Sequence, residues 1–94
     1  MNLKKDFLTI LMNAIDVADR LIWQAKADHD TFLLDRLSLA RRNFEAVHQR
    51  LLADDLPRSN GAGLGFTREL DEWGIDDLFE AGTAIDEFYR TRWR

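Results

Sequence analysis

Two short motifs of this sequence contain side chains that could take part in catalysis or bind a metal. Glu45 and His48 have the Glu-x-x-His spacing of di-iron carboxylate bundles, a site that needs two such motifs and two further Glu. This sequence has one such motif. His29 lies between Asp28 and Asp30, but no Ser or Cys nucleophile accompanies it in a recognisable pattern. The sequence therefore predicts no catalytic residue, no metal site, no cofactor and no enzymatic activity.

A glycine-rich stretch, Gly61–Gly65, has the composition of a phosphate-binding loop, because glycines let backbone N–H groups approach an anion. The dinucleotide-binding motif needs a strand before its glycines, whereas this stretch follows a predicted helix. The mononucleotide-binding motif also fails, because no Lys-Ser or Lys-Thr pair follows the glycines. The pattern therefore favours a connector between helices.

The most informative segment is acidic and runs from residue 69 to residue 87. It contains no Lys or Arg, and large apolar residues such as Trp73 and Phe79 are interleaved with its acids. Acidic residues on an amphipathic pattern are typical of a folded, negatively charged surface. Residues 1–50, by contrast, are nearly balanced, with seven acids and eight bases. The eight carboxylates of the segment are Glu69, Asp71, Glu72, Asp76, Asp77, Glu80, Asp86 and Glu87.

Two interpretations of this segment are open. It is either a solvated surface that keeps a small protein in solution, or a docking surface for a basic partner protein. The second interpretation uses the large apolar residues as anchors, because a few buried aromatic contacts dominate many interfaces. The residues predicted to bind a partner are Glu69, Asp71, Glu72, Trp73, Asp76, Asp77, Phe79 and Glu80.

Basic residues cluster at the C-terminus, where Arg90, Arg92 and Arg94 surround Trp93. An aromatic side chain among arginines can stack on the bases of a single strand. The alternative is that the arginines complement the end of a helix while Trp93 packs onto the bundle. The net charge of −4 and the neighbouring acidic segment disfavour direct binding to nucleic acid.

Hydrophobic periodicity predicts an all-α fold of four helices. Two long helices, over 3–27 and about 30–53, repeat apolar residues at steps of three and four and form an antiparallel hairpin. A loop over 54–65 contains the single Pro. A short third helix then runs from Thr67 to Trp73, and a fourth begins at Asp76 or Asp77 and ends near Arg92.

Several residues predict where these helices begin and end. Asp28 and Asp30 are candidate N-caps of the second helix, and Thr67 is the candidate N-cap of the third. Gly74 suits the left-handed conformation that ends a helix. Gly82 lies inside the fourth helix and weakens it unless another helix packs closely there.

Length and composition predict one helical domain over residues 1–94. Hydrophobic residues make up 46% of the chain, which is enough for a core. The absence of Cys fits a reducing compartment. The longest apolar-rich stretch, Phe7 to Ala25, is interrupted by polar residues and is unsuited to a membrane span. We expect a cytoplasmic protein without a signal peptide or membrane contact.

We therefore expect a small acidic, non-enzymatic binding protein or inhibitor that docks on a basic surface of a partner protein. Small acidic helical proteins that act in this way include immunity proteins, antitoxins and phage-encoded inhibitors of nucleic-acid-targeting, CRISPR-like systems. The likeness is one of size, charge and helicity. The alternative is a homodimer or larger homo-oligomer that self-associates through the first helix, because Ile10 and Val17 widen its apolar stripe beyond what one neighbour needs.

Overall fold

The computed structural model describes residues 2–94, which fold into a small helical bundle. The helices are α1 (Leu3–Ala27), α2 (Thr31–Leu52), α3 (Phe66–Asp71) and α4 (Asp76–Thr91). α1 and α2 pack as a hairpin, α4 packs against α1, and α3 packs against α4. The predicted all-α class, with two long helices followed by a short one and a C-terminal one, is confirmed.

The turn between α1 and α2 is made without Gly or Pro. His29 takes the left-handed conformation at φ 55°, which reverses the chain direction. Asp30 is the N-cap of α2, and its Oδ1 accepts a hydrogen bond from the Leu33 N–H at 3.0 Å. Asp28 was also expected to be an N-cap, which is wrong, because Asp28 is the C-cap residue of α1.

α1 is the central helix of the bundle, because α2 and α4 both pack against it. Val17 is buried within the chain, and Ile10 packs against the core. Two neighbours within one chain therefore account for the width of the apolar stripe of α1. That width was the observation behind the expected self-association.

An aromatic cluster joins α1 to α4. Phe7 is fully buried, and its ring centroid lies 4.8 Å from that of Phe88, 6.3 Å from that of Tyr89 and 5.7 Å from that of Trp93. The indole N–H of Trp93 donates to the carbonyl of Leu56 at 3.4 Å. Trp93 is thus packed onto the bundle, and the prediction of a buried side chain is confirmed.

α3 and α4 approach closely at Gly82. A Cβ atom at this position would lie 2.5 Å from Leu70 Cδ1 and 3.3 Å from Phe66 Cβ. The close contact that Gly82 was predicted to need is therefore supplied by α3. Gly74 has φ 69°, so its predicted left-handed conformation is confirmed, but α3 ends at Asp71 and not at Trp73 as predicted.

The predicted N-cap of α3 is wrong. Gly65, with φ 90°, is the N-cap residue. Thr67 lies one residue inside the helix, and its Oγ1 lies 3.4 Å from the hydroxyl of Thr83 on α4. The loop before α3 is tied to the end of α4, because the Tyr89 hydroxyl donates to the Pro57 carbonyl and the Ser59 N–H donates to the Trp93 carbonyl, both at 2.8 Å.

Asp54 follows the C-terminus of α2, where its negative charge is unfavourable to the helix dipole. Its Oδ1 lies 2.8 Å from Lys4 Nζ, in the first turn of α1. The antiparallel hairpin brings these two helix ends together, so a long-range ion pair offsets the local cost. Within residues 2–94, none of the helices combines the length and apolar character of a membrane span.

Candidate functional site

Four acidic side chains share the outward side of α4. At 3.6 residues per turn, Asp76, Glu80 and Glu87 lie within about 40° of one another around the helix axis, and Asp77 lies at the edge of this row. All four are exposed. We call these four residues the acidic ridge. From Asp76 to Glu87 the ridge is about 16 Å long at 1.5 Å per residue.

The remaining predicted acids precede the ridge in the sequence and lie outside α4. Glu69 and Asp71 are exposed on α3, and Glu72 is exposed in the turn that follows. α3 packs along α4 on the side of Gly82, so these three carboxylates belong to the neighbouring helix and its end.

Asp86 is the exception among the eight carboxylates of the segment, because it is buried with 8% of its surface exposed. Its Oδ1 accepts a hydrogen bond from the Leu64 N–H at 3.0 Å, and its Oδ2 accepts one from the Thr67 N–H at 2.7 Å. Asp86 therefore fastens the glycine-rich loop and the start of α3 to α4. It is a structural carboxylate and adds nothing to the outward charge of the ridge.

Within residues 2–94, no Lys or Arg forms an ion pair with the acidic ridge. The three ion pairs within residues 2–94 join Lys4 to Asp54 and Arg41 to both Asp19 and Glu45, all outside the ridge. No ridge carboxylate is therefore neutralised by direct contact within this part of the chain. Arg20 lines a cavity with Asp77 and Glu80, and Arg68 and Arg90 line another with Glu87, so these cations weaken the field of the ridge without pairing with it.

One of the two motifs considered above, Glu45 with His48, contains a carboxylate that forms an ion pair with Arg41. The hydrogen bond to Asp19 raises the pKa of the Arg41 guanidinium above its ordinary value, and the bond to Glu45 acts in the same direction. Glu45 is thus held by Arg41, while His48 is half-buried on the same helix. Within residues 2–94, no group of three or more metal-ligating side chains is placed to hold a metal ion.

The two predicted anchors, Trp73 and Phe79, are partly exposed. Trp73 and Phe79 are half-buried and pack against the core. The Trp73 ring is also occupied from within the chain, because the guanidinium carbon of Arg36 lies 5.5 Å from its centroid. Both side chains thus contribute to the packing of the chain as well as to its surface.

Two other aromatic residues are far more exposed, and neither is among the predicted partner-binding residues. Trp23 is 73% exposed and Phe32 is 69% exposed. A signal for both was present, because Trp23 falls off the apolar stripe of α1 and Phe32 precedes the stripe of α2 by one residue. Large aromatic side chains on the polar side of a helix are candidates for contact with a partner.

A groove between α1 and α4 brings one of these exposed aromatics next to the acidic ridge. Its volume is about 320 Å³. We call it the α1–α4 groove, and it is lined by Val17, Arg20, Leu21, Trp23, Gln24 and Asp77. A second cavity continues along α4, where Glu80 and Ala84 join Val17, Arg20 and Asp77 in its lining. Ridge carboxylates, an exposed indole and one arginine thus meet in a single surface region.

Comparison of the sequence with protein-family models and with curated proteins, and of the fold with solved structures, found no match. The function proposed below therefore depends on the geometry and charge of this chain alone.

Proposed function

We propose that this chain is a non-enzymatic binding protein whose acidic ridge docks on a basic surface of a partner protein. The observation that carries the proposal is the row of exposed carboxylates along α4 that no Lys or Arg of residues 2–94 neutralises. A solvated surface with the sole role of keeping a protein soluble normally mixes charges of both signs. All four residues of the ridge are acidic, and none of them forms an ion pair within residues 2–94.

Such a ridge acts first on the rate of association. Opposite charges on two surfaces steer their encounter and raise the association rate constant, and this effect falls as salt screens the charges. The lifetime of the complex then depends on a few desolvated contacts near the ridge. The exposed Trp23 beside Asp77 is well placed to supply one of them.

The partner class that fits this chemistry best is a protein that itself handles nucleic acid. Surfaces that bind DNA or RNA are rich in Lys and Arg, because these residues neutralise phosphates. A rigid row of carboxylates can occupy the same Lys and Arg side chains and thereby exclude the nucleic acid. We therefore favour an inhibitor of a nucleic-acid-targeting, CRISPR-like system, active in the cytoplasm.

Charge reversal on the ridge is the direct test. We expect Asp76→Lys with Asp77→Lys to weaken binding roughly tenfold to a hundredfold, because each exposed ion pair contributes about 0.2–1 kcal/mol and its reversal adds repulsion. Glu80→Lys with Glu87→Lys should act similarly. This second pair lies beyond the first turn of α4, so it leaves the dipole-complementing Asp76 and Asp77 in place.

The measurement is capture of host proteins on the immobilised chain, quantified by mass spectrometry at about 0.05 M and about 0.5 M salt. Asp35→Lys with Asp55→Lys is the matched control, because both residues are exposed, lie outside the ridge and change the net charge equally. A basic protein retained by the native chain and the control, but lost from both ridge variants and at high salt, supports the proposal. Identical capture by all variants at both salt concentrations refutes it.

A further inference from the structure

We infer that the α1–α4 groove binds an arginine side chain of the basic partner, with its guanidinium stacked on Trp23 and paired with Asp77. The inference rests on the proposed function and adds to it a defined contact. It commits to arginine because a planar guanidinium can stack on an indole and donate two hydrogen bonds to a carboxylate at once.

The first observation concerns the three tryptophans of the chain. Trp93 has the guanidinium carbon of Arg58 at 4.1 Å from its ring centroid, and Trp73 has that of Arg36 at 5.5 Å. Trp23 is the most exposed of the three, and no Lys or Arg within residues 2–94 stacks on its ring. Among aromatic side chains, the indole ring of Trp attracts a cation over its face most strongly. Trp23 is therefore open to a guanidinium from another molecule.

The second observation is what surrounds Trp23. Asp77 lines the same groove and takes part in none of the ion pairs of residues 2–94. Val17 and Leu21 supply apolar lining, against which the methylene stem of an arginine can pack while its charged end stays near the carboxylate. Glu80, in the adjoining cavity, adds a second negative charge within the same region.

Arg20 also lines the α1–α4 groove and places a positive charge of the chain itself there. It lies within 4.0 Å of no carboxylate of residues 2–94, so no ion pair holds it there. An incoming arginine is repelled by the positive charge of Arg20. Removing the charge of Arg20 should therefore strengthen binding, which is the opposite of what nonspecific loss of a surface residue would do.

The test uses the full chain and a defined probe, the tripeptide acetyl-Gly-Arg-Gly-amide, followed by NMR of ¹⁵N-labelled protein. We expect saturable shifts of the Trp23 indole N–H and the Asp77 amide, with a Kd of about 1–10 mM for so small a ligand. The same peptide with citrulline in place of arginine keeps the shape and lacks the charge, and it should leave both signals unchanged.

Variants give the direction of each contribution. Asp77→Asn and Trp23→Ala should each weaken the arginine peptide by about fivefold or more, since each removes one of the two charge-recognising groups. Arg20→Gln should tighten it by about twofold to threefold. Phe32→Ala is the matched control for Trp23, because it removes another exposed aromatic side chain outside the groove lining. Equal shifts with citrulline, or weaker binding by Arg20→Gln, would overturn the inference.

Failure here is distinguishable from failure of the proposed function. Glu87→Lys changes the ridge while leaving the linings of the α1–α4 groove and of the adjoining cavity intact. If that variant loses the host partner while Trp23→Ala retains it in full, the ridge docks without the groove and the arginine contact is wrong. If Trp23→Ala also loses the partner, and its peptide titration is weakened, the inference is supported.

Discussion

Replacing Phe7 with Ala is expected to lower the free energy of unfolding by about 3–5 kcal/mol. Phe7 is fully buried and touches the rings of Phe88, Tyr89 and Trp93, so truncation leaves a cavity where α1, α4 and the C-terminal residues meet. Small domains are stable by about 5–15 kcal/mol in total, so this single change removes a large share. Urea unfolding followed by circular dichroism measures it.

Phe32→Ala is the matched control for this prediction. It makes the same chemical change at a side chain that is 69% exposed, where the loss is mainly the contact with Arg36, 4.6 Å from the ring centroid. We expect it to cost less than about 1 kcal/mol. Equal losses of unfolding free energy for the two variants would contradict the conclusion that the aromatic cluster holds α4 against α1. They would also contradict a fixed position of the acidic ridge on the bundle.

Removing the buried carboxylate of Asp86 is expected to have the next largest effect. Asp86→Ala leaves the N–H groups of Leu64 and Thr67 without their acceptors, and hydrogen bonds to a charged group are worth about 1.5–3 kcal/mol each. Because the two bonds are not additive and water can reach part of the loop, we expect a loss of about 3 kcal/mol. Hydrogen exchange at the Leu64 and Thr67 amides should accelerate with it.

Asp86→Asn is the informative companion variant. Its amide keeps the shape and one acceptor oxygen, while its NH₂ group faces a backbone donor, so we expect an intermediate loss of about 1–2 kcal/mol. A loss below about 0.5 kcal/mol for Asp86→Ala would show that the loop and α3 are held by other contacts. That outcome would contradict the structural role assigned to the Asp86 carboxylate.

The long helices could be predicted from the sequence because their signal is local and repeated. α1 and α2 carry an apolar stripe over more than five turns each, and Asp30 caps α2 through a residue three positions away. The conformation of the turn could not be predicted, because His29 adopts a left-handed conformation that Gly or Asn usually takes.

The start of α3 could not be predicted, because its determinants are long-range. Thr67 has the side chain of an N-cap, and local rules place the helix start at such a residue. The backbone N–H of Thr67 instead donates to Asp86, nineteen positions later in the chain, and Gly65 takes the cap position. Asp86, which the sequence places among exposed acids, is thus buried and holds the start of α3.

The acids of the site were predictable from composition, whereas its aromatic contacts were not. Asp76, Asp77 and Glu80 are exposed, as their place on the polar side of α4 predicts. Trp73 was chosen as an anchor because it lies among acids in the sequence, yet Arg36 from α2 approaches its ring. Trp23 belongs to the surface near Asp77 only because α4 folds back along α1, and periodicity within one helix does not report that neighbour.

Carboxylate footprinting of the complex tests the central claim most directly. Carbodiimide-activated amine labelling, read by mass spectrometry, gives the accessibility of each Asp and Glu in the free chain and in the chain bound to its captured partner. We expect strong protection of Asp76, Asp77 and Glu80 on binding, with Asp35 and Asp55 labelled as in the free chain. Equal labelling of the ridge in both states, with protection elsewhere, would contradict it.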